Sequence, residues 1–450
     1  MLFRRLGVFV GGGTEDAAAA ICRDVDGRSV DVDRGLRVLH ESSLVGTSDS
    51  TGAARVTMLE TIREYALERL RSAGKVETVR RAHALHYCAL VEQAEHGLAG
   101  PTEPAWFARC EVEHNNLRAA LDWALDCRET GTALRLGAAL WPFWYTYGYV
   151  AEGRRWLAAA LRLPGDDGGT AALRAGALVG AGRLASTHAD YAGAARCYDE
   201  SLALARACRD TRATAAALAW KGKLLAREAS QEAAAAQLVQ ESLTLARELD
   251  DRAGIVRLLQ LLGRLDEGLV FARELADTVS IASLLCDLGD RARGRGDDTV
   301  AAGRYEESLA LFRELHHQQG VASTLHNLGY IALHRGNPEL AEERFQEGLT
   351  TFRDMGHTWS IGDCLIGLAG VAVAQNGFAE AACLLGKAEA LQRPLGGHRS
   401  IANQTEFERI VHAAREHLGA TDFAVALSAG QTTATEEATG ARDPLPNESN

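Results

Sequence analysis

A carboxylate beside an imidazole makes Glu113-His114-Asn115-Asn116 the first segment to test for chemistry. Those groups bind metals and carry out general acid–base catalysis. The four residues are consecutive, so on a helix they point in four directions, and no second ligand pair lies nearby. We therefore interpret them as structural residues. No Ser/His/Asp or Cys/His arrangement has supporting context, and we predict no catalytic residue, no cofactor and no metal site.

Phosphate chemistry requires a glycine-rich loop of the form GxxxxGK followed by Ser or Thr at a helix N-terminus. The sequence has no such motif, because Gly222-Lys223 is followed by Leu and Gly386-Lys387 by Ala. The triplet Gly11-Gly12-Gly13 lacks the lysine. We predict that this chain does not hydrolyse ATP by itself.

Charge and cysteine content exclude several classes of protein. The 450 residues carry a formal net charge of −12, which disfavours a protein that coats nucleic acid. Residues 1–85 hold 13 Lys or Arg and 12 Asp or Glu, a net of +1. Nine scattered cysteines without a CxxC pair argue against a disulfide framework or a zinc cluster. No run approaches the ~18 apolar residues of a membrane span, so we predict a cytoplasmic protein without membrane contact.

An internal repeat predicts the elements that would position binding residues. The phrase ESLALAR at Glu200–Arg206 recurs in related forms at Glu241–Glu248, Glu307–Glu314 and Glu347–Asp354. Ahead of these phrases, a small residue is followed 12 positions later by Ala and 4 further on by a large apolar residue. The copies are Gly182/Ala194/Tyr198, Gly222/Ala234/Leu238, Gly289/Ala301/Tyr305, Gly329/Ala341/Phe345 and Ala369/Ala381/Leu385, with a looser copy at Trp141/Gly153/Leu157.

Each unit of about 40 residues predicts a helical hairpin that buries its apolar face only by stacking on its neighbours. The units resemble tetratricopeptide repeats, so we predict an all-α solenoid over residues 130–393. The step from Gly222 to Gly289 is too short for an additional full unit. We predict a shortened unit near residues 250–276, and a single long helix is the alternative.

The N-terminal segment has a different pattern. Helical spacing covers Thr14–Cys22 and Val32–Ser42, two short strands are predicted at Ser43–Thr47 and Arg55–Met58, and a helix follows at Glu60–Leu70. This order is typical of a winged-helix domain, which we assign to residues 1–73. A helical linker (74–129) leads to the repeats. Capping helices (394–427) and a disordered tail (428–450) follow them.

Four long motifs closely resemble one family. They are LFRRLGVFVGG near the start, Met58–Leu70, Glu111–Leu125 and Ala139–Leu161. The family is the bacterial STAND-type predicted ATPases of LuxR-type and SARP-like transcriptional regulators. The resemblance implies the order P-loop ATPase, winged helix and tetratricopeptide-like repeats, often with an output DNA-binding domain. We expect this chain to begin after the ATPase module and to lack the output domain, which makes such a module a candidate partner.

The resemblance also implies a nucleotide-sensing Met-His-Asp triplet in the winged helix. The matching residues are Met58-Leu59-Glu60. Leu59 stands in place of the histidine, so we do not expect a direct phosphate contact from this point.

Stacked hairpins create a concave face lined by the first helix of each pair. Helical spacing places eight residues near that groove: Arg183, Lys223, Arg227, Asp290, His326, Asn327, Tyr330 and His334. Mixed polar and aromatic groups suit an extended peptide or a partner helix, whereas the alternative is an ordinary solvated surface. The aromatic residues of Trp141–Tyr149 could form a ligand box, but we favour core packing.

We predict a non-catalytic interaction or sensor module of a bacterial signalling or transcriptional regulator, which binds a protein or peptide partner in the groove. One alternative is a DNA-binding regulator that acts through the N-terminal arginines Arg34, Arg37, Arg55, Arg63, Arg69 and Arg71. A second is a fragment of a nucleotide-dependent ATPase switch.

Overall fold

The computed structural model is almost entirely helical. It describes residues 1–440 except 23, 26–27, 30, 49–54, 98–102, 166, 188–189, 228, 356 and 394–398. The chain divides into two compact units, Met1–Leu184 with Gly193–Trp220, and Ala185–Ala192 with Lys221–Asn450. The division falls inside residues 130–393, the stretch predicted as one solenoid.

The N-terminal segment contains the predicted order of helix, helix, hairpin and helix. Its elements are α1 (Leu2–Leu6), β1 (Gly13–Thr14), α2 (Glu15–Cys22), β2 (Asp24–Val25), β3 (Arg28–Ser29), α3 (Val32–Glu41), β4 (Gly46–Ser48), β5 (Arg55–Thr57) and α4 (Glu60–Ser72). Antiparallel β4 and β5 form a sheet in the order β1-β5-β4, with Thr47 opposite Val56. The first hairpin strand begins at Gly46, three residues later than predicted.

Eight longer helices continue from this segment. They are α5 (Val76–Gly97), α6 (Glu103–Val112), α7 (His114–Asp126), α8 (Thr130–Thr146), α9 (Val150–Arg162), α10 (Asp167–Thr187), α11 (Tyr191–Cys208) and α12 (Thr211–Leu225). Phe143 and Trp144 of the aromatic segment are buried in the core that α8 shares with α5 and α7. Core packing therefore accounts for Phe143 and Trp144, whereas Tyr147 is exposed.

The second unit is a series of helical pairs. After a 3-10 turn (Ala229–Gln231) come α13 (Glu232–Glu248), α14 (Arg252–Leu261), α15 (Leu265–Glu274), α16 (Thr278–Arg293), α17 (Asp298–Glu314), α18 (Gln318–His334), α19 (Pro338–Asp354), α20 (Thr358–Ala374) and α21 (Phe378–Gln392). The last segment, α22 (Ile401–Gly440), is broken at Gly419, whose φ is 74°. We predicted a disordered tail from residue 428, but this helix continues to Gly440; residues 441–450 lie outside the described part.

Small residues let the two helices of a pair approach closely, as the repeat predicts. A Cβ added at Gly182 would lie 2.5 Å from the Tyr198 ring, and Gly289 has the same relation to Tyr305. At Gly329 the nearest atom is in the ring of Phe345, at 2.7 Å. The glycine and the large residue are therefore one packing unit in each of these hairpins.

Two copies of the repeat were assigned to the wrong residues. Gly222 packs against Val239 and Ala235, whereas the predicted Ala234 is exposed. The 3-10 turn before α13 shifts that helix by one residue relative to the other hairpins. In the earliest copy, Gly137 rather than Trp141 faces Leu157, because the Trp141 ring packs against Gly180 instead.

The shortened unit consists of two helices of ten residues each, α14 and α15. They are joined at Gly263, which adopts a φ of 67°. A single long helix at this point, our alternative, is wrong. Gly263 can adopt this left-handed backbone conformation because glycine has no Cβ to clash with the backbone.

The recurring phrase also has a hydrogen-bonding role. The Ser201 hydroxyl donates to the carbonyl of Ala175, and Ser308 donates to Ala282, each at 2.8 Å. Helix starts in the second unit are capped by side chains that accept the N–H three residues on, from Asp251, Asp277, Asp297, His317 and Asn337. Such caps satisfy otherwise unpaired donors and fix where each helix begins.

Candidate partner-binding site

A buried arginine contacts polar residues of α16, α17, α18 and α22. The side chain of Arg293 is 1% exposed. Its Nε donates to the hydroxyl of Tyr305 at 3.3 Å, and its Nη2 donates to the amide oxygens of Asn327 at 3.3 Å and of Asn403. We call Arg293, Asp290, Tyr305, Asn327 and Asn403 the Arg293 cluster. Sequence reasoning named Asp290 and Asn327 but missed Arg293, although Asp290 and Arg293 are spaced to share a helix face.

Asp290, which is half-buried, completes the cluster as its acceptor. It receives the Tyr305 hydroxyl at 2.6 Å and the Asn327 amide at 2.9 Å. Burial raises the pKa of Asp290, and the nearby Arg293 guanidinium only partly opposes that shift. Asp290 and Asn327 are thus held by neighbours within the unit.

His326 and Tyr330 are also buried rather than displayed. The His326 ring packs edge-on against Tyr330 and Phe345, with centroids 5.1 and 5.6 Å apart, and its Nε2 lies 3.2 Å from the Asp363 carbonyl. Burial lowers the pKa of His326 to about 4, so the ring is neutral at pH 7. The guanidinium carbon of Arg293 lies 4.9 Å from the Tyr330 centroid.

These buried positions correct the prediction that the polar and aromatic residues of α18 line an accessible groove. His326, Asn327 and Tyr330 do lie near one another, but they do not form an exposed surface. The spacing of polar residues along α18 could not reveal that a later helix covers them.

His334 lies between two carboxylates. Its Nδ1 is 2.9 Å from Asp298, and its Nε2 is 2.7 Å from Glu406 of α22. Arg409 also pairs with Glu406, at 2.7 Å. The hydrogen bond to Glu406 raises the pKa of His334 above its usual 6.5, the bond to Asp298 adds to this, and burial opposes it.

This arrangement predicts that α22 is held less firmly at high pH. Because the pKa of His334 is higher in the folded than in the unfolded chain, its stabilising effect is complete below pH 6.5 and is lost as the pH rises through the folded value. Amide exchange of residues 401–418, corrected for intrinsic chemistry, should increase between about pH 6 and pH 9. His334→Gln should abolish the change. Equal corrected exchange at both pH values in the original chain would contradict this account.

A second row of polar side chains crosses α12, α14 and α16. The Gln260 amide donates to Ser283 at 3.0 Å and to the carboxylate of Asp287 at 2.6 Å. Burial raises the pKa of Asp287 to about 6, while the bond from Gln260 and the charge of Lys223 oppose the shift. Lys223 itself is exposed. Of the eight predicted residues, Lys223 and His334 are exposed, and the other six are buried or half-buried.

The two predicted arginines are packed on aromatic rings. Arg183 lies over Tyr145 and Trp220, at 4.2 and 4.8 Å from the ring centroids, and Arg227 lies 3.8 Å from the centroid of Tyr191. Arg183 belongs to the first unit, whereas the other seven residues belong to the second. Seven of the eight predicted residues therefore lie between Lys223 of α12 and His334 of α18.

The Glu113–Asn116 segment forms part of a buried network in the first unit. Glu113 pairs with Arg55 and accepts the Tyr87 hydroxyl at 3.0 Å and the Asn116 amide at 2.8 Å. His114 packs against Tyr149, with centroids 4.4 Å apart, and its Nε2 lies 3.3 Å from Glu152. Within the described part of the chain, no three His, Cys, Asp or Glu side chains converge as metal ligands. These contacts fit the structural interpretation of the segment.

The N-terminal arginines do not form one accessible basic patch. Arg55 is buried against Glu113, and Arg63 forms two hydrogen bonds to Glu60. Arg34, Arg37, Arg69 and Arg71 are exposed. Two of the six arginines invoked for DNA binding are therefore already engaged by carboxylates.

Comparisons with known proteins agree with the repeat architecture. Residues 280–354 match the family model described as Tetratricopeptide repeat. These residues comprise nearly all of α16 and the whole of α17, α18 and α19, which hold most of the Arg293 cluster. The class of structure is thus a helical-repeat protein with tetratricopeptide repeats.

Relatives in sequence carry a more specific name. Proteins of Mycobacterium tuberculosis and Mycobacterium bovis called "Putative HTH-type transcriptional regulator" are 35% identical over 161 residues. That alignment covers 36% of this chain and 18% of each relative. The chain therefore matches under a fifth of the length of these regulators.

Two solved structures resemble the fold. A Rap protein complexed with Competence and Sporulation Factor has a TM-score of 0.50 at 14% identity, over 81% of this chain and 98% of that one. A STAND protein with a tetratricopeptide repeat sensor from Pyrococcus horikoshii has a TM-score of 0.43 at 11% identity, over 98% of this chain and 63% of that one. Among the described residues, no helix has the length and apolar character needed to cross a membrane.

Proposed function

We propose that this chain is a non-catalytic interaction module of a bacterial signalling or transcriptional regulator. It binds a protein or peptide partner on the concave face formed by the first helices of the repeat pairs, α12, α14, α16, α18 and α20. We call this face the groove. The observation that carries the proposal is the row of polar side chains from exposed Lys223 through Gln260 and Asp287 to the Arg293 cluster.

A row of this kind suits recognition better than catalysis. Hydrogen-bonding groups on successive helices can bind a partner that lies across them. Helices and extended peptides bind in the grooves of repeat proteins in this way. Lys223 offers a cation at the exposed end, and the partly shielded Asp287 offers a carboxylate one helix pair further on. The partner is therefore expected to carry an acidic group that reaches Lys223.

The regulatory role rests on the mycobacterial relatives and is part of the proposal. They are called transcriptional regulators, and the shared segment is a small fraction of their length. We also assign residues 1–73 to a winged-helix domain, supported by the order of α1 to α4 and the three-stranded sheet. The pairing of Arg55 and Arg63 with carboxylates disfavours DNA binding through this domain.

Site-specific photo-crosslinking in the source cells tests partner binding. A photoreactive amino acid replaces Lys223, and a matched variant carries it at Glu342, which is exposed on second helix α19. We expect a covalent adduct with a partner from position 223 and none from position 342. No adduct at 223, or equal adducts at both positions, would overturn the groove as the binding face.

A further inference from the structure

The first half of α22, residues 401–418, runs back across the repeats instead of stacking only on the last pair. Asn403 reaches Arg293 of α16, and Ala402 lies against Gly294 at the end of that helix. Glu406 reaches His334 of α18, and Ile410 contacts Gly370 of α20. A helix that only capped the solenoid would need contacts with α20 and α21 alone.

The contacts of this segment are polar at one end and apolar at the other. Asn403 meets the buried guanidinium of Arg293, and buried Glu406 meets His334. Ile410 and Ala414 are 2% and 0% exposed and join the apolar core of the last pairs. The spacing of Asn403, Glu406, Ile410 and Ala414 places these four residues along one face of the helix.

The Arg293 site has spare hydrogen-bonding capacity. Among the described residues, the Nη1 atom of Arg293 is buried and has no hydrogen-bond partner. Unsatisfied donors at such depth are rare, and a ligand oxygen would satisfy this one. The amide of Asn403 supplies a neutral oxygen to Nη2, and a carboxylate there could accept from both nitrogens.

We propose that residues 399–418 are an internal occupant of the groove and that the external partner is an amphipathic helix with the same pattern. This partner places a side-chain amide or carboxylate on Arg293 and a carboxylate on His334. An aliphatic residue follows one turn further on, against Gly370. The inference rests on the proposed function and specifies the partner's chemistry.

The internal helix competes with a free partner helix for the groove because it belongs to the same chain. The internal helix is tethered by a short connection after Arg393, so its effective concentration is about millimolar. A free helix with equal contacts then binds only weakly to the original chain. Any change that weakens the internal contacts should increase the affinity for a free helix, and a covalent lock should prevent its binding.

The test uses the full chain and a fluorescent peptide with the sequence of residues 399–418. Glu406→Lys removes the carboxylate at His334, and Glu408→Lys makes the same change at an exposed position of the same helix. We expect Glu406→Lys to bind the peptide at least tenfold more tightly than the original chain, and Glu408→Lys to bind like the original. Asn403→Ala, which releases Arg293, serves as a second variant if Glu406→Lys does not fold.

A disulfide that holds the internal helix in place should have the opposite effect on peptide binding. A Cβ at Gly294 would lie 3.9 Å from the Ala402 Cβ, within the range of disulfides. In the Glu406→Lys or Asn403→Ala background, Gly294→Cys with Ala402→Cys should abolish peptide binding when oxidised and restore it on reduction.

Equal affinity of the release variants and Glu408→Lys, or peptide binding by the oxidised lock, would overturn the inference. An adduct at position 223 would then still support the proposed function. Peptide binding as expected, without an adduct at position 223, would contradict the partner proposal alone.

Discussion

Glu113→Ala is expected to lower the free energy of unfolding of the N-terminal unit by about 3–5 kcal/mol, because it leaves the buried Arg55 guanidinium without its counter-ion. Burial alone would raise the pKa of Glu113. Hydrogen bonds from Arg55, Asn116 and Tyr87 outweigh burial and hold the pKa below its usual range. Removing the carboxylate therefore takes an acceptor from three donors at once, and Arg55 and Asn116 then donate only to the Gly12 carbonyl among the described contacts.

Position 111 provides the matched control. Glu111 is exposed and accepts the Tyr149 hydroxyl at 2.9 Å, so Glu111→Ala should change stability little. Tryptophan fluorescence in urea suits the measurement, since six of the seven tryptophans lie in the first unit and Trp359 alone lies in the second. Unfolding free energies of the two variants within 1 kcal/mol of each other would contradict a structural role for this network.

Gly386→Ala is expected to detach the second half of α22. A Cβ at Gly386 would lie 2.0 Å from the Leu427 carbonyl oxygen, and one at Gly430 would lie 1.9 Å from that of Cys383. Backbone atoms cannot move aside as a flexible side chain can, so the helices must separate. Overpacking of this kind costs about 1–3 kcal/mol or more.

Amide exchange of residues 420–433 measures this detachment, with Gly303→Ala as the control. Nothing lies within 4 Å of a Cβ at Gly303 in the interior of α17, so alanine there should be neutral or stabilise by about 0.5–1 kcal/mol. Increased exchange in Gly386→Ala but not in Gly303→Ala is the expected result. Equal protection in both variants would contradict the close contact.

The repeat pattern predicted most of the fold because its physics is local. A glycine, an alanine and a large apolar residue at fixed spacing define one hairpin, and Gly289 with Tyr305 packs as predicted. The pattern failed where a turn changed length: the 3-10 turn ahead of α13 moves the buried alanine from position 234 to 235. The spacing of residues in the sequence does not show that one turn differs in length from the corresponding turns of the other hairpins.

The site was less predictable because it depends on contacts between residues far apart in the chain. Arg293 and Asn403 are separated by 110 positions, and nothing near either residue indicates the other. Helical spacing identified Asp290, Asn327 and His334, but it could not reveal that α22 contacts Arg293 and His334. The sequence predicted capping helices over residues 394–427 without indicating that they contact α16 and α18.

The affinity of the crosslinked partner for full-length variants tests the central claim most directly. Lys223→Glu reverses the exposed charge in the groove, and Arg353→Glu makes the same change at an exposed position of second helix α19. If the groove is the binding face, Lys223→Glu should weaken binding at least about tenfold, or 1.4 kcal/mol, while Arg353→Glu leaves it unchanged. Unchanged affinity in Lys223→Glu, or an equal loss in both variants, would contradict the claim that the partner binds there.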